Sequence, residues 1–186
     1  MIALYAHRQL PPTTVIVGDT AVEIKAGDPE AAVPRERPVA AVPTGTTPPV
    51  TFAGGLLFPV SGHTTEDIIS VFGDPRGKTR RHQGIDVKAP RGTELVAVVD
   101  GFIERVREGG SGGKQVYLRD GQGRLFYYAH LDSWTVEEYQ VVRAGEVIGT
   151  VGDTGNARNT TPHLHFEILL GKKREAVDPM GYYVGV

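Results

Sequence analysis

His163-Leu164-His165-Phe166-Glu167-Ile168 alternates polar and apolar residues without a break. Side chains of a β-strand project to opposite faces in turn, so His163, His165 and Glu167 share one face and Leu164, Phe166 and Ile168 the other. The apolar face is predicted to pack a core and the polar face to carry chemistry. Two imidazoles two residues apart on one strand point to the same side.

Working outward, similar short runs recur between turn signals. Glu94 to Val99 ends in Asp100-Gly101, Phe102 to Val106 follows, and Lys114 to Leu118 precedes the turn Asp120-Gly121. Leu125 to Ala129 and Glu146 to Val151 complete the set. Short strands punctuated by turns indicate antiparallel β architecture. The only helix expected is brief, Thr65 to Ser70, with Thr64 or Thr65 as its N-cap. The fold class is therefore mainly β, a compact antiparallel sheet with one short helix and an N-terminal extension. A composition of 40% hydrophobic residues, 24 glycines and 13 prolines suits such a loop-rich domain.

Two further motifs sit at the ends of apolar stretches: His82-Gln83-Gly84-Ile85-Asp86 and Tyr128-Ala129-His130-Leu131. Of six histidines, four fall within these three motifs. Imidazole and carboxylate suit Zn²⁺, and a catalytic zinc takes three protein ligands and leaves a position open. Four histidines and one aspartate exceed what binding needs, and the surplus is what hydrolysis requires. Zinc lowers the pKa of a bound water to about 7 and polarises a carbonyl. An unligated histidine can take that water's proton and return it to the leaving amine, and a second can donate to the developing oxyanion.

From about Phe58 to Tyr182 the chain resembles the lysostaphin-like, LytM-type zinc metallopeptidases, which cut peptide cross-links in bacterial peptidoglycan. The resemblance is carried by Phe58-Pro59-Val60, Val71-Phe72-Gly73, His82-Gln83-Gly84-Ile85-Asp86 and Ala89-Pro90-Arg91-Gly92-Thr93. It continues through Tyr128-Ala129-His130-Leu131, Arg143 to Gly149, Pro162-His163-Leu164-His165 and Val177-Asp178-Pro179. It implies a lysostaphin-like β-fold and a zinc endopeptidase acting on peptidoglycan peptides in the cell envelope or outside the cell. It makes His82, Asp86 and His165 the zinc ligands and leaves His130 and His163 unligated beside the metal. We assign the base to His163 and the oxyanion contact to His130, roles that sequence leaves interchangeable. Two stretches depart from the pattern: Asn156 to Thr161 lengthens the loop before Pro162, and Tyr139 replaces a usual glycine. Both alter the surroundings of the cleft and neither touches a ligand.

Two other readings compete. One is a wall-peptide-binding module of the same fold that regulates another hydrolase without turnover; the presence of all five site residues opposes it. The other takes Val142 to Gly149 as kin to a biotinyl or lipoyl carrier, which leaves the histidines unexplained. Which cross-link is cut depends on loop shape rather than on these motifs.

Other classes are set aside on composition. A net charge of −2 gives no footprint for nucleic acid. The absence of cysteine excludes disulfides and thiolate metal sites. No apolar run approaches the ~20 residues of a membrane span, so membrane association is not indicated. Met1 to Ala6 is too short, and lacks the basic start, for a signal peptide. Gly73 to Thr79 imitates a phosphate loop but is one residue short and carries Pro75 where N–H donors are needed. Asn159-Thr160-Thr161 matches a glycosylation acceptor by coincidence, since a glycan there would crowd the cleft. Glu108 to Gly113 reads as a hairpin tip or as a wall of the substrate groove.

Two domains are expected. Residues 1–53 form an extension, in which Thr13 to Val17 and Ala21 to Ile24 make a small hairpin, and the proline-rich stretch Val33 to Val50 is an extended linker. Residues 54–186 form the metallopeptidase domain. The linker is long enough for the extension to lie across the active-site cleft and temper activity.

Overall fold

The computed structural model describes residues 13–17, 20–24 and 55–183. The chain divides into two units, Met1–Thr44 and Gly45–Val186. In the first, β1 (Thr13–Val17) pairs antiparallel with β2 (Thr20–Ile24), with Thr13 opposite Ile24 and Val17 opposite Thr20. The expected hairpin is present, its second strand starting one residue earlier. The linker and the cleft-covering role lie outside the described residues.

The described residues of the second unit hold twelve strands in chain order. They are β3 (Ile68–Ser70), β4 (Pro75–Arg76), β5 (Arg80–Arg81), β6 (Ile85–Lys88), β7 (Glu94–Val96), β8 (Gly101–Glu108), β9 (Lys114–Asp120), β10 (Leu125–Trp134), β11 (Val141–Val142), β12 (Val147–Val151), β13 (His163–Leu170) and β14 (Glu175–Val177). Ten of them form one antiparallel sheet in the order β11-β8-β9-β10-β13-β6-β3, with β12 joining β10 to β7 and β14 adding to β13. β4 and β5 make a separate two-stranded hairpin. Tight turns suffice for such neighbours, which is why glycine and aspartate punctuate this sequence.

The alternation read in β13 decides its packing. Leu164, Phe166 and Ile168 are fully buried, while His163, His165 and Glu167 are half-buried on the other face. Phe166 meets Tyr128 edge-on at 5.1 Å and stacks with Phe126 at 6.3 Å. Around them close Ile85, Val87, Leu95, Ile103, Leu118 and Ile148. Each such side chain contributes about 1.5–3 kcal/mol by leaving water.

Two expectations are corrected. The run Thr65 to Ser70 is not one helix. Thr65–Asp67 is a single 3-10 turn, in which the Thr64 hydroxyl accepts from the Glu66 N–H and the Asp67 carboxylate accepts from the Thr64 N–H. Ile68–Ser70 is strand, because its β-branched pair suits an extended backbone and Ile68 and Ser70 find partners in Val87 and Asp86 of β6. The run Glu94 to Val99 is strand only to Val96. Beyond it the backbone bonds elsewhere: the buried Tyr128 hydroxyl donates to the Val96 carbonyl at 3.0 Å and accepts from the Val98 N–H at 3.1 Å.

Candidate metal centre

His82 and Asp86 meet His165, 83 and 79 positions further along the sequence, because β6 pairs with β13 and places Asp86 directly across from His165, with His82 just ahead of β6. His82 Nε2 lies 3.0 Å from His165 Nδ1 and 3.1 Å from Asp86 Oδ1, and His165 Nδ1 lies 2.9 Å from the same oxygen. Among the described residues this is the one group of three or more such side chains able to hold a metal ion. Donors at 2.0–2.1 Å around a tetrahedral ion stand about 3.3–3.4 Å apart. The observed triangle is a few tenths of an ångström tighter, so the donor set fits a small cation with little movement.

The outer hydrogen bonds fix which nitrogen faces inward. A carbonyl can only accept, so the His82 Nδ1–H donates to Val71 O at 2.9 Å and Nε2 keeps its lone pair for the centre. His165 is turned the other way round. Its Nε2 reaches the Glu167 carboxylate at 2.8 Å, freeing Nδ1 for the centre. Carboxylate and carbonyl partners of this kind hold a ligating imidazole in one tautomer and raise its basicity. Burial alone would lower His165, but the carboxylates of Asp86 and Glu167 outweigh it and raise the imidazole to about 9 in the metal-free protein. Burial would likewise raise Asp86, yet hydrogen bonds from His165, His82 and Arg76 hold it far below the usual carboxylate range.

His130 and His163 face this triangle, their rings 5.1 Å apart and the His130 ring 5.9 Å from that of His165. His130 arrives there by an interruption of its strand. Strand alternation would send residue 130 toward the core with Phe126 and Tyr128, yet it lines the cleft. Its φ is +65°, the pairing of β10 with β9 shifts register between Tyr128 and Leu131, and Leu131 takes the core place instead. One extra residue in a β-bulge thus re-aims the imidazole. The His130 N–H donates to Gly112 O at 2.9 Å, and its Nδ1–H to Thr154 O at 2.9 Å. His163 Nδ1–H donates in the same way to Thr161 O at 2.8 Å. Burial pushes His130 down to about 4, reinforced by the neighbouring His163 and His165, so it is neutral near pH 7.

The cleft has a volume of about 650 Å³. The glycine-rich tip between β8 and β9 is one of its walls. The Gln115 amide donates to Gly109 O at 2.8 Å and Gly113 O at 2.9 Å, and its carbonyl accepts from Tyr127 at 3.1 Å. Against this tip lies the loop Asn156, Ala157 and Thr160, which also lines the cleft: the Asn156 N–H donates to Ser111 O at 2.9 Å, in the stretch where this sequence departs from the pattern it resembles. All five residues singled out in the sequence are brought to this cleft. Four supporting ones were not singled out for a role: Glu167 behind His165, Arg76 on the outer oxygen of Asp86, Ser70 beside His82 and Thr154 behind His130. Glu167 alone had a local signal, its place on the histidine face of β13.

Comparison with known proteins agrees with this geometry. The model of peptidase family M23 matches residues 80–179, more than half of the chain. The DD-carboxypeptidase/endopeptidase Mpg of Neisseria meningitidis is 47% identical over 88 residues, covering 47% of this chain and 20% of that protein. The murein hydrolase activator NlpD of Salmonella typhimurium is 32% identical over 149 residues, covering 78% of this chain and 37% of that protein. The catalytic domain of the antimicrobial peptidase lysostaphin from Staphylococcus simulans superposes with a TM-score of 0.58 at 30% identity, over 63% of this chain and 92% of that one. The chain spans only a minor part, 20% and 37%, of the two full-length relatives.

Proposed function

Because the chain belongs to peptidase family M23, we propose that it is a zinc-dependent endopeptidase which hydrolyses peptide cross-links of bacterial peptidoglycan, in the envelope or outside the cell. The observation that carries this reading is the convergence of His82, Asp86 and His165 within 2.9–3.1 Å, faced by two further histidines. In this reading residues 54–186 are the catalytic domain and 1–53 an extension. His82 Nε2, Asp86 Oδ1 and His165 Nδ1 hold the zinc. Bound there, zinc supplies Lewis-acid polarisation of the scissile carbonyl and acidifies a water.

The chain's own groups manage the protons. Both free histidines have Nδ1–H tied to a backbone carbonyl, so each neutral ring presents the Nε2 lone pair to the cleft. His163, half-exposed, takes the proton of the attacking water and then, as a two-donor imidazolium, returns it to the leaving amine. His130 was assigned to the oxyanion from sequence. With its Nδ1–H committed, donating from Nε2 requires a second proton, which burial opposes. It acts instead as an acceptor that orients the water. The test is mass spectrometry of purified peptidoglycan after incubation with the zinc-loaded protein. Cross-linked fragments are expected to fall and their uncross-linked halves to accumulate; an unchanged fragment pattern would overturn the proposal.

Similarity to a murein hydrolase activator supports one second reading, a regulatory module that binds wall peptide without cutting it. It calls for neither a complete ligand triangle nor the two carbonyl-anchored histidines beside it.

A further inference from the structure

The chain as a whole is acidic, with a net charge of −2, yet its cleft is not. The lining contains three guanidinium groups, Arg76, Arg80 and Arg81, and two carboxylates, Asp86 and Glu167. Both carboxylates are already engaged: Asp86 with His82, His165 and Arg76, and Glu167 with His165. Asp86 in turn answers Arg76 alone among the arginines. Arg80 and Arg81 are exposed on β5, directly before His82, and no ion pair among the described residues engages either. Arg81 makes only a long contact of 3.5 Å to the Gly73 carbonyl. The lining residues Asn156, Ala157 and Thr160 carry no charge. A divalent cation at the centre adds to the same sign. The field is therefore local, positive and concentrated on one rim of the groove, the arrangement that draws an anion to a particular place rather than to the whole protein.

Resting on the endopeptidase reading above, we infer that Arg80 and Arg81 are specificity-determining residues that read free carboxylates on the substrate. A guanidinium matches a carboxylate with two parallel N–H donors, which fixes orientation as well as adding attraction. The substrate class that fits is a cross-linked peptide whose strands carry free carboxylates beside the scissile amide. The same peptide with its carboxylates amidated offers this rim nothing to hold.

The experiment compares two soluble cross-linked peptides that differ only in whether the side carboxylates are free or amidated. The full zinc-loaded chain and the R80Q/R81Q variant are assayed for kcat and KM, and binding of a fluorescent, uncross-linked form of each peptide is measured by anisotropy. Exposed pairs are individually weak, so two of them are expected to favour the acid about tenfold. The preference should lie mainly in KM, shrink as salt is raised, and fall toward one in R80Q/R81Q. In R80K/R81K, which keeps the charge and loses the fork, it should be intermediate. Zinc content and melting temperature of each variant show that the fold is kept. Equal handling of acid and amide by the wild type, or a preference unchanged in R80Q/R81Q, would overturn the inference and leave hydrolysis standing. Failure to cut either peptide, with acid-selective and arginine-dependent binding retained, would overturn hydrolysis and support the arginine rim. Failure of both cutting and selective binding would overturn both.

Discussion

Gly84→Ala tests whether the metal triangle depends on the spacing of two strands. Gly84 lies between His82 and Asp86 and packs against β13 beside His165. A Cβ there would overlap the Phe166 carbonyl oxygen, stand 2.8 Å from its carbonyl carbon and 3.0 Å from Glu167 Cγ. The first two atoms are backbone and cannot rotate away. Restoring an ordinary 3.4 Å contact to the carbon alone moves the two chains apart by about 0.6 Å. Two of the triangle's three edges, His82 to His165 and Asp86 to His165, cross that same gap. Metal–ligand distances tolerate only about ±0.2 Å, so the displacement is about three times what the site accommodates. Zinc affinity, measured by competition with a chromogenic chelator, is expected to fall by about 100-fold or more, beyond the usual effect of losing an outer hydrogen bond. Overpacking should also cost about 1–3 kcal/mol, a fall of about 2–10 °C in the melting temperature of a protein this size. Wild-type zinc affinity in a protein whose melting temperature has dropped would refute the link between spacing and site. An unchanged melting temperature would refute the clash itself.

His163→Ala and His130→Ala should each retain a full equivalent of zinc by elemental analysis while losing about 10²–10⁴-fold in kcat; loss of zinc from either would mean the ligand set is misassigned. In the metal-free protein, His165 has a folded pKa of about 9, above its ordinary value of 6.5. The stability it contributes is complete below pH 6.5 and disappears as pH rises through 9. Melting of the metal-free chain is therefore expected to fall across that window, and Glu167→Gln, which removes one of the two carboxylates that raise this pKa, should flatten the fall. The same variant should bind zinc about 10–100-fold more weakly; a pH profile identical to wild type would show that Glu167 does not hold His165.

What sequence could read of this molecule was whatever repeats with a local period. β13 was legible because Leu164, Phe166 and Ile168 alternate with polar residues along its first six positions, and the hairpin of β9 with β10 because Asp120-Gly121 marks its turn. Thr65 to Ser70 misled for a complementary reason. Its capping residues are genuine, but Ile68 and Ser70 after them answer to Val87 and Asp86 of β6, sixteen or more residues away. The ligands could be named because each lies in a short motif. Arg76, Ser70 and Thr154 could not, since each acts on a histidine or aspartate 10 to 24 positions distant and nothing in its own neighbourhood announces this. The stretch holding Arg76 even imitated a phosphate loop, although its backbone forms a two-stranded hairpin instead.

The bulge at His130 sets stability and activity against each other at one residue. A left-handed backbone costs an ordinary side chain about 1–3 kcal/mol, and a regular strand would recover it. Deleting that one position would let β10 run on unbroken from Tyr128 to Leu131, with the apolar side chains still on the core side. Selection for heat resistance alone would therefore drift toward a tidier sheet with no imidazole in the groove. A designer seeking a hardier enzyme should draw gains from elsewhere in the sheet and leave this irregularity alone.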